Sequence, residues 1–102
     1  MKDTLEAARM AAIKSSLPAD VVFNVATSYD TQTREVSGNV VVLRPVVTHR
    51  LAQGVSYAFN NGPQITFNSR GMTADNGTIT LQHTNGLSRQ IVVSILGSSV
   101  IQ

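Results

Sequence analysis

Two histidines, four carboxylates and three arginines are the residues of this sequence with most to offer chemically. His49 and His83 would serve as ligand or general base only with a second histidine or a carboxylate at ligand spacing, and neither has one. His49 falls in a weak strand pattern and His83 near a strand end, so both read as ordinary strand or surface histidines. Asp20, Asp30, Glu35 and Asp75 are scattered through turn-like contexts, where carboxylates commonly cap or bond to nearby backbone. The serines form no Gly-x-Ser-x-Gly elbow, and no Ser-His-Asp order is marked. No glycine-rich phosphate loop is present. Asn76-Gly77-Thr78 has the form of a glycosylation acceptor, but an Asn-Gly turn accounts for it. The reading is therefore of a non-enzymatic protein with no catalytic, metal or cofactor site. Arg70 and Arg89 flank a hairpin region, with Arg50 able to join them. Near one sheet edge they would meet an anion or a neighbouring subunit; the blander reading is solvated strand-end charge.

The composition narrows the classes further. A chain of 102 residues makes one domain, 1–102, with a modest core. It has no cysteine, which removes disulfides, thiolate metal sites and cysteine nucleophiles. A net charge of +2 makes a lightly charged surface despite an isoelectric point near 9.5. No apolar run reaches the length needed to span a bilayer, and no signal-peptide pattern opens the chain, so the segment as given is expected to be soluble.

The elements that must position these residues follow from periodicity. Asp3 is the expected N-cap of a helix over about 4–16, with Glu6 in the capping-box position. Leu5, Ala8, Ala12 and Ile13 recur at helical spacing. Leu17-Pro18 ends it. Beyond Pro18 the period drops to two, and strands are expected around Val21–Val25, Val40–Leu43, Val55–Phe59, Ile65–Phe67, Ile79–Leu81 and Ile91–Ile95. Weaker ones fall at Val46–Leu51 and Val100–Ile101. Asp30–Ser37 is the most polar stretch and reads as an exposed loop or hairpin end. Asn61-Gly62, Asn76-Gly77 and Asn85-Gly86 each lie between alternating runs and predict hairpins, with tight turns at the last two. Sequential strands should then pair antiparallel. The fold class is α+β: one N-terminal helix on a meander-rich, two-layer antiparallel sheet, with the β region over about 20–101.

Several pieces in this order carry a resemblance: Ile65 and Phe67, then Arg70-Gly71, then Gly77-Thr78-Ile79 with Leu81, then Arg89 with Ile91-Val92-Val93-Ser94 and Gly97. "LAQGV" at Leu51–Val55 and "AARMAAIK" near the start add to it. Together they resemble the GspH/FimT family of minor pseudopilins and minor pilins. The middle, Asn24 to Val47, matches poorly and lacks the tryptophan often found there.

The resemblance implies a pilin-like fold and a structural subunit of a type II secretion pseudopilus or type IV pilus. It implies other pilin or pseudopilin subunits as partners and a location in a bacterial cell envelope. In the family the helix continues an apolar half that spans the inner membrane, so Met1 would mark a truncation and the globular part would face the periplasm. FimT-like members concerned with DNA uptake share a Gly-Arg-x-Arg tail; here the corresponding residues are Gly97-Ser98-Ser99-Val100. Both arginines are missing, which argues for a structural role over a DNA-binding one. From a different class, the remaining alternative is a free-standing β-sandwich that binds a ligand, which the low aromatic content disfavours.

Overall fold

A computed structural model describes residues 1–102. Helix α1 spans Lys2–Ser15. It starts two residues before the expected position: the Met1 carbonyl accepts from the Leu5 N–H at 3.0 Å. Asp3 is thus not the N-cap but lies in the first turn, where its charge faces the positive end of the helix. Glu6 is turned to Lys2, at 2.7 Å, and makes no capping box. That hydrogen bond raises the Lys2 pKa above its usual value. Ser16 closes the helix in the left-handed conformation ahead of Pro18.

Ten strands follow: β1 Ala19–Val25, β2 Ser28–Gln32, β3 Arg34–Ser37, β4 Val40–Leu43, β5 Val47–Arg50, β6 Val55–Phe59, β7 Gln64–Phe67, β8 Gly77–His83, β9 Ser88–Val93 and β10 Ser99–Ile101. All pairings are antiparallel. One sheet has the order β5-β2-β1-β7 and a second the order β10-β9-β8-β6, while β3 and β4 form a two-stranded ribbon. Leu5, Ala8 and Ala12 of the helix pack with Val21, Tyr29, Ile65 and Phe67 of the first sheet and Tyr57, Ile79, Ile91 and Val93 of the second in a single core.

Two expectations are corrected. Asp30–Ser37 is not a loop, since β2 and β3 run through it. β2 lies between β1 and β5 with Tyr29 buried, and its one large inward side chain gives too little alternation to mark a strand. Asn61-Gly62 and Asn76-Gly77 are not hairpin turns, because β6 and β7 belong to different sheets and β7 pairs with β1. The chain crosses between sheets at both places, and Asn61 Nδ2 donates to the Asn76 carbonyl at 2.7 Å, tying the crossings together. What overrode the turn signal is burial: Ile65 and Phe67 are completely covered where they lie beside β1. Gly77 opens β8 as expected, but for lack of space, since an added Cβ would lie 2.5 Å from Asn60 Oδ1. Strand β9 also stops at Val93, leaving Ile95 in an exposed turn.

Three turns share one geometry. At 68–72, 83–87 and 94–98 the first N–H bonds to the fifth carbonyl (2.8, 2.9 and 3.0 Å) and the fourth N–H to the first carbonyl (2.8, 2.9 and 2.9 Å). The fourth residue is Gly71, Gly86 or Gly97, with φ of 78, 95 and 86°. This is a tight turn followed by a left-handed glycine, the three-residue hairpin connection, rather than the mirror-image turn expected at Asn85-Gly86.

Candidate functional site

The histidines and carboxylates singled out for chemistry turn out to hold the fold. His49 on β5 stacks on Tyr29 with ring centroids 5.1 Å apart, and its Nε2 lies 3.0 Å from Thr31 Oγ1. His83 Nδ1 accepts the Asn85 N–H at 3.1 Å, which fixes the turn after β8. None of the four carboxylates sits in a free turn. Asp20, on β1, accepts from Arg34 at 2.9 Å and from Thr66 Oγ1 at 2.8 Å. Arg34 also donates to the Pro18 carbonyl at 2.8 Å, so this buried carboxylate anchors the root of the β3–β4 ribbon. Asp30 accepts from Thr48 Oγ1 at 2.7 Å and from Asn24, joining β2 to its neighbours. Glu35 pairs with Arg44 across the ribbon at 3.1 Å. Asp75 accepts the Thr66 N–H at 2.9 Å and so closes the outer edge of β7 against another strand.

Three pieces of the family pattern meet at one place. Arg9 Nε donates to the Gly71 carbonyl at 3.1 Å, and the Gly71 Cα faces Ile13, where an added Cβ would approach to 2.7 Å. A Cβ on Gly97 would come within 1.8 Å of the Gly71 oxygen. The helix can lie this low only because two glycine turns pass beneath it. The Arg-Gly step, the glycine after β9 and the Ala-Arg of the helix are thus a packing device that spacing alone did not show.

The three candidate arginines are all exposed and make no ion pair. Arg70 lies in the 68–72 turn beside Gly97, past the end of β9, whereas Arg89 lies on β9 opposite Leu81, four residues before Val93. At about 3.3 Å per residue this separates the two by more than about 13 Å along the strand. Arg50 ends β5, the edge strand of the other sheet. The structure does not gather them into one patch.

What it does gather is exposed apolar surface. Val36, Val40, Val41 and Leu43 stand out of the ribbon, two of them 62% exposed. Met10 of the helix and Ile95 and Leu96 of the 94–98 turn are likewise open. The molecule is drawn out, with extents of 51 × 25 × 20 Å. A single helix on antiparallel sheets, with polar groups spent on the scaffold and apolar groups left outside, describes a structural subunit of the pilin-like class. The chain matches the family model described as type II transport protein GspH over residues 1–97, and it belongs to that family. The type IV minor pilin FimU of Pseudomonas aeruginosa shares the fold. In one crystal form it superposes with a TM-score of 0.75 at 14% identity, over 99% of this chain and 81% of FimU. In a second form the TM-score is 0.74 at 14% identity, over 99% and 86%. No curated protein sequence matches the chain. The family match carries the class, a pilin-like structural subunit, and the FimU superpositions carry the fold.

Proposed function

We propose that residues 1–102 form one domain, the non-enzymatic head of a minor pseudopilin or minor pilin. An apolar helical segment ahead of Met1 would anchor it in the inner membrane with the head on the periplasmic side. No helix of the structure is long and apolar enough to cross a membrane. The observation that carries the reading is the distribution of apolar side chains. Fourteen large hydrophobics are exposed against twelve apolar residues in the core, and Val36, Val41 and Leu43 share one face of the ribbon, as expected of a surface that neighbouring subunits cover. The natural reading frame upstream of Met1 tests it. A short basic leader followed by roughly 20 apolar residues supports it, and a start codon at Met1 overturns it.

Contact with DNA is the second outcome this reading excludes. Affinity for nucleic-acid backbone grows with the number of phosphates neutralised, so several cations must share a face. Arg34, Arg44 and Lys2 are engaged by carboxylates, and Arg50, Arg70 and Arg89 point from separate places. The segment after Gly97 returns along β9 as β10 and forms no cationic arm. Binding to duplex DNA, followed by fluorescence anisotropy, should be no tighter than about 10⁻⁴ to 10⁻⁶ M at physiological salt. A sub-micromolar, salt-sensitive affinity lost on Arg89→Ala would replace the structural reading with DNA uptake.

A further inference from the structure

Successive rows across the second sheet show where its cover ends. Phe59, Ile79 and Ile91 form one row, Tyr57, Leu81 and Arg89 the next, and Val55 and His83 the last, with Leu87 just across the turn. Being two residues apart on each strand, these rows lie on the same face, the one turned toward the core. Ile79 and Ile91 are fully buried and Tyr57 nearly so, but Leu81 and Val55 are half-buried, and Arg89, His83 and Leu87 are open, Leu87 to 70%. The core-facing side of the sheet therefore runs on past the helix and first sheet that cover it. The overhang is a groove of about 230 Å³ with Val55, Leu81 and Leu87 as its apolar surface.

Its charge is one-sided. Arg89 stands on the rim with no acidic partner, and no carboxylate lines the groove. His83 Nδ1 is occupied as an acceptor by the Asn85 N–H, so the neutral ring presents Nε2–H as a donor. An aliphatic floor beside a free guanidinium fits an aliphatic side chain next to a carboxylate, which the planar fork of arginine can hold through two hydrogen bonds. Nucleic acid fits less well, because one cation neutralises one phosphate and no aromatic ring lines the groove for a base to stack on. A second copy of this chain is also a poor occupant: the one carboxylate on its apolar ribbon, Glu35, is already held by Arg44.

We propose that this overhang is a docking groove for an acidic, leucine-like segment of a neighbouring protein subunit, with Arg89 holding the carboxylate and Leu81 and Leu87 the aliphatic group. The proposal rests on the subunit reading above and names where one contact of that subunit falls. The probe is the peptide acetyl-Ser-Leu-Glu-Leu-Ser-amide, titrated into ¹⁵N-labelled protein, with the peptide carrying Gln in place of Glu as control. Saturable shifts confined to residues 55 and 81–89 are expected, with the Gln peptide and the Arg89→Gln variant each weakening binding by about tenfold. Leu87→Ser, at a side chain too exposed to affect folding, should weaken it with Arg89 intact. Shifts scattered over the surface, equal binding of the two peptides, or displacement of the peptide from Leu81 and Leu87 by a DNA duplex would each overturn the proposal. A null titration beside an upstream anchor segment would remove the groove and leave the subunit reading standing.

Discussion

Val93 and Val36 are both strand valines in antiparallel pairs, yet one is 1% exposed and the other 62%. Val93 sits in a region where everything is close. Two glycine turns touch beneath the helix, Arg9 bridges to the Gly71 carbonyl, and the sheet, turns and helix have no room for one more carbon. Val36 sits in a ribbon with no third strand, which apolar contact alone would leave marginal in water. The ribbon is held at its root by polar bonds: Arg34 to Asp20 and Pro18, and Gln32 Nε2 to the Arg44 carbonyl at 3.0 Å. Apolar packing secures the seam, while ionic and hydrogen bonds secure the ribbon and leave its valines unspent.

The largest effect should come from filling the seam. Gly97→Ala adds a carbon against fixed backbone at a φ of 86°, so left-handed strain and overpacking combine to cost about 3–5 kcal/mol in denaturant unfolding. A loss below about 1 kcal/mol would mean the glycine contact is looser than the seam requires. Next comes the ribbon's root. Asp20→Asn removes the charge that Arg34 meets; with side chains 12% and 24% exposed, the loss should be about 1–3 kcal/mol, below that of a fully buried pair. Hydrogen exchange in Val36–Leu43 should quicken more than in Ile79–Ile91. Uniform quickening would dissolve the distinction between the two regions.

A smaller effect marks where the two sheets meet. Tyr57 on β6 donates to the Ser28 carbonyl of β2 at 2.7 Å, and burial pushes its phenol above the ordinary 10.0. Because the folded state favours the protonated phenol, this stability is complete below pH 10.0 and fades as pH rises through the folded value. Tyr57→Phe should cost about 1 kcal/mol at neutral pH and lessen the alkaline loss, both measurable by thermal melts across pH. The smallest effect belongs to the ribbon's surface. Val36→Thr with Val41→Thr should change the stability of the isolated head by less than about 0.5 kcal/mol. A larger loss would mean that those valines support the fold and are not free for a partner.

The helix and eight of the ten strands were legible, most of them because each carries its own period: Leu5, Ala8 and Ala12 at helical spacing, or pairs such as Ile65 and Phe67 and Ile91 and Val93 at every second residue. β2 and β3 were not, because Asp30, Thr31 and Glu35 are satisfied by partners far along the chain, and a polar strand looks like a loop until those partners are known. Strand order was hidden for a related reason. An Asn-Gly step announces a change of direction but not which sheet the chain joins next. The three arginines were visible as unpaired charge, but Arg89 gains its setting only from the rows of Leu81 and Leu87 beside it. The seam could not be seen at all, since a glycine in sequence does not say which distant carbonyl leaves it no room.

The three turns built alike at 68–72, 83–87 and 94–98 have a consequence for how such a molecule changes over generations. Each is built on one left-handed glycine and two main-chain hydrogen bonds, and of the central pairs Ser69-Arg70, Thr84-Asn85 and Ile95-Leu96 only Asn85 adds a side-chain bond, its Oδ1 accepting the Leu87 N–H at 3.0 Å. The other five side chains can drift or be exchanged without disturbing the strands that hold them. Selection can therefore rewrite what the head shows to its neighbours separately from what keeps it folded, and two descendants with one backbone can come to recognise different company.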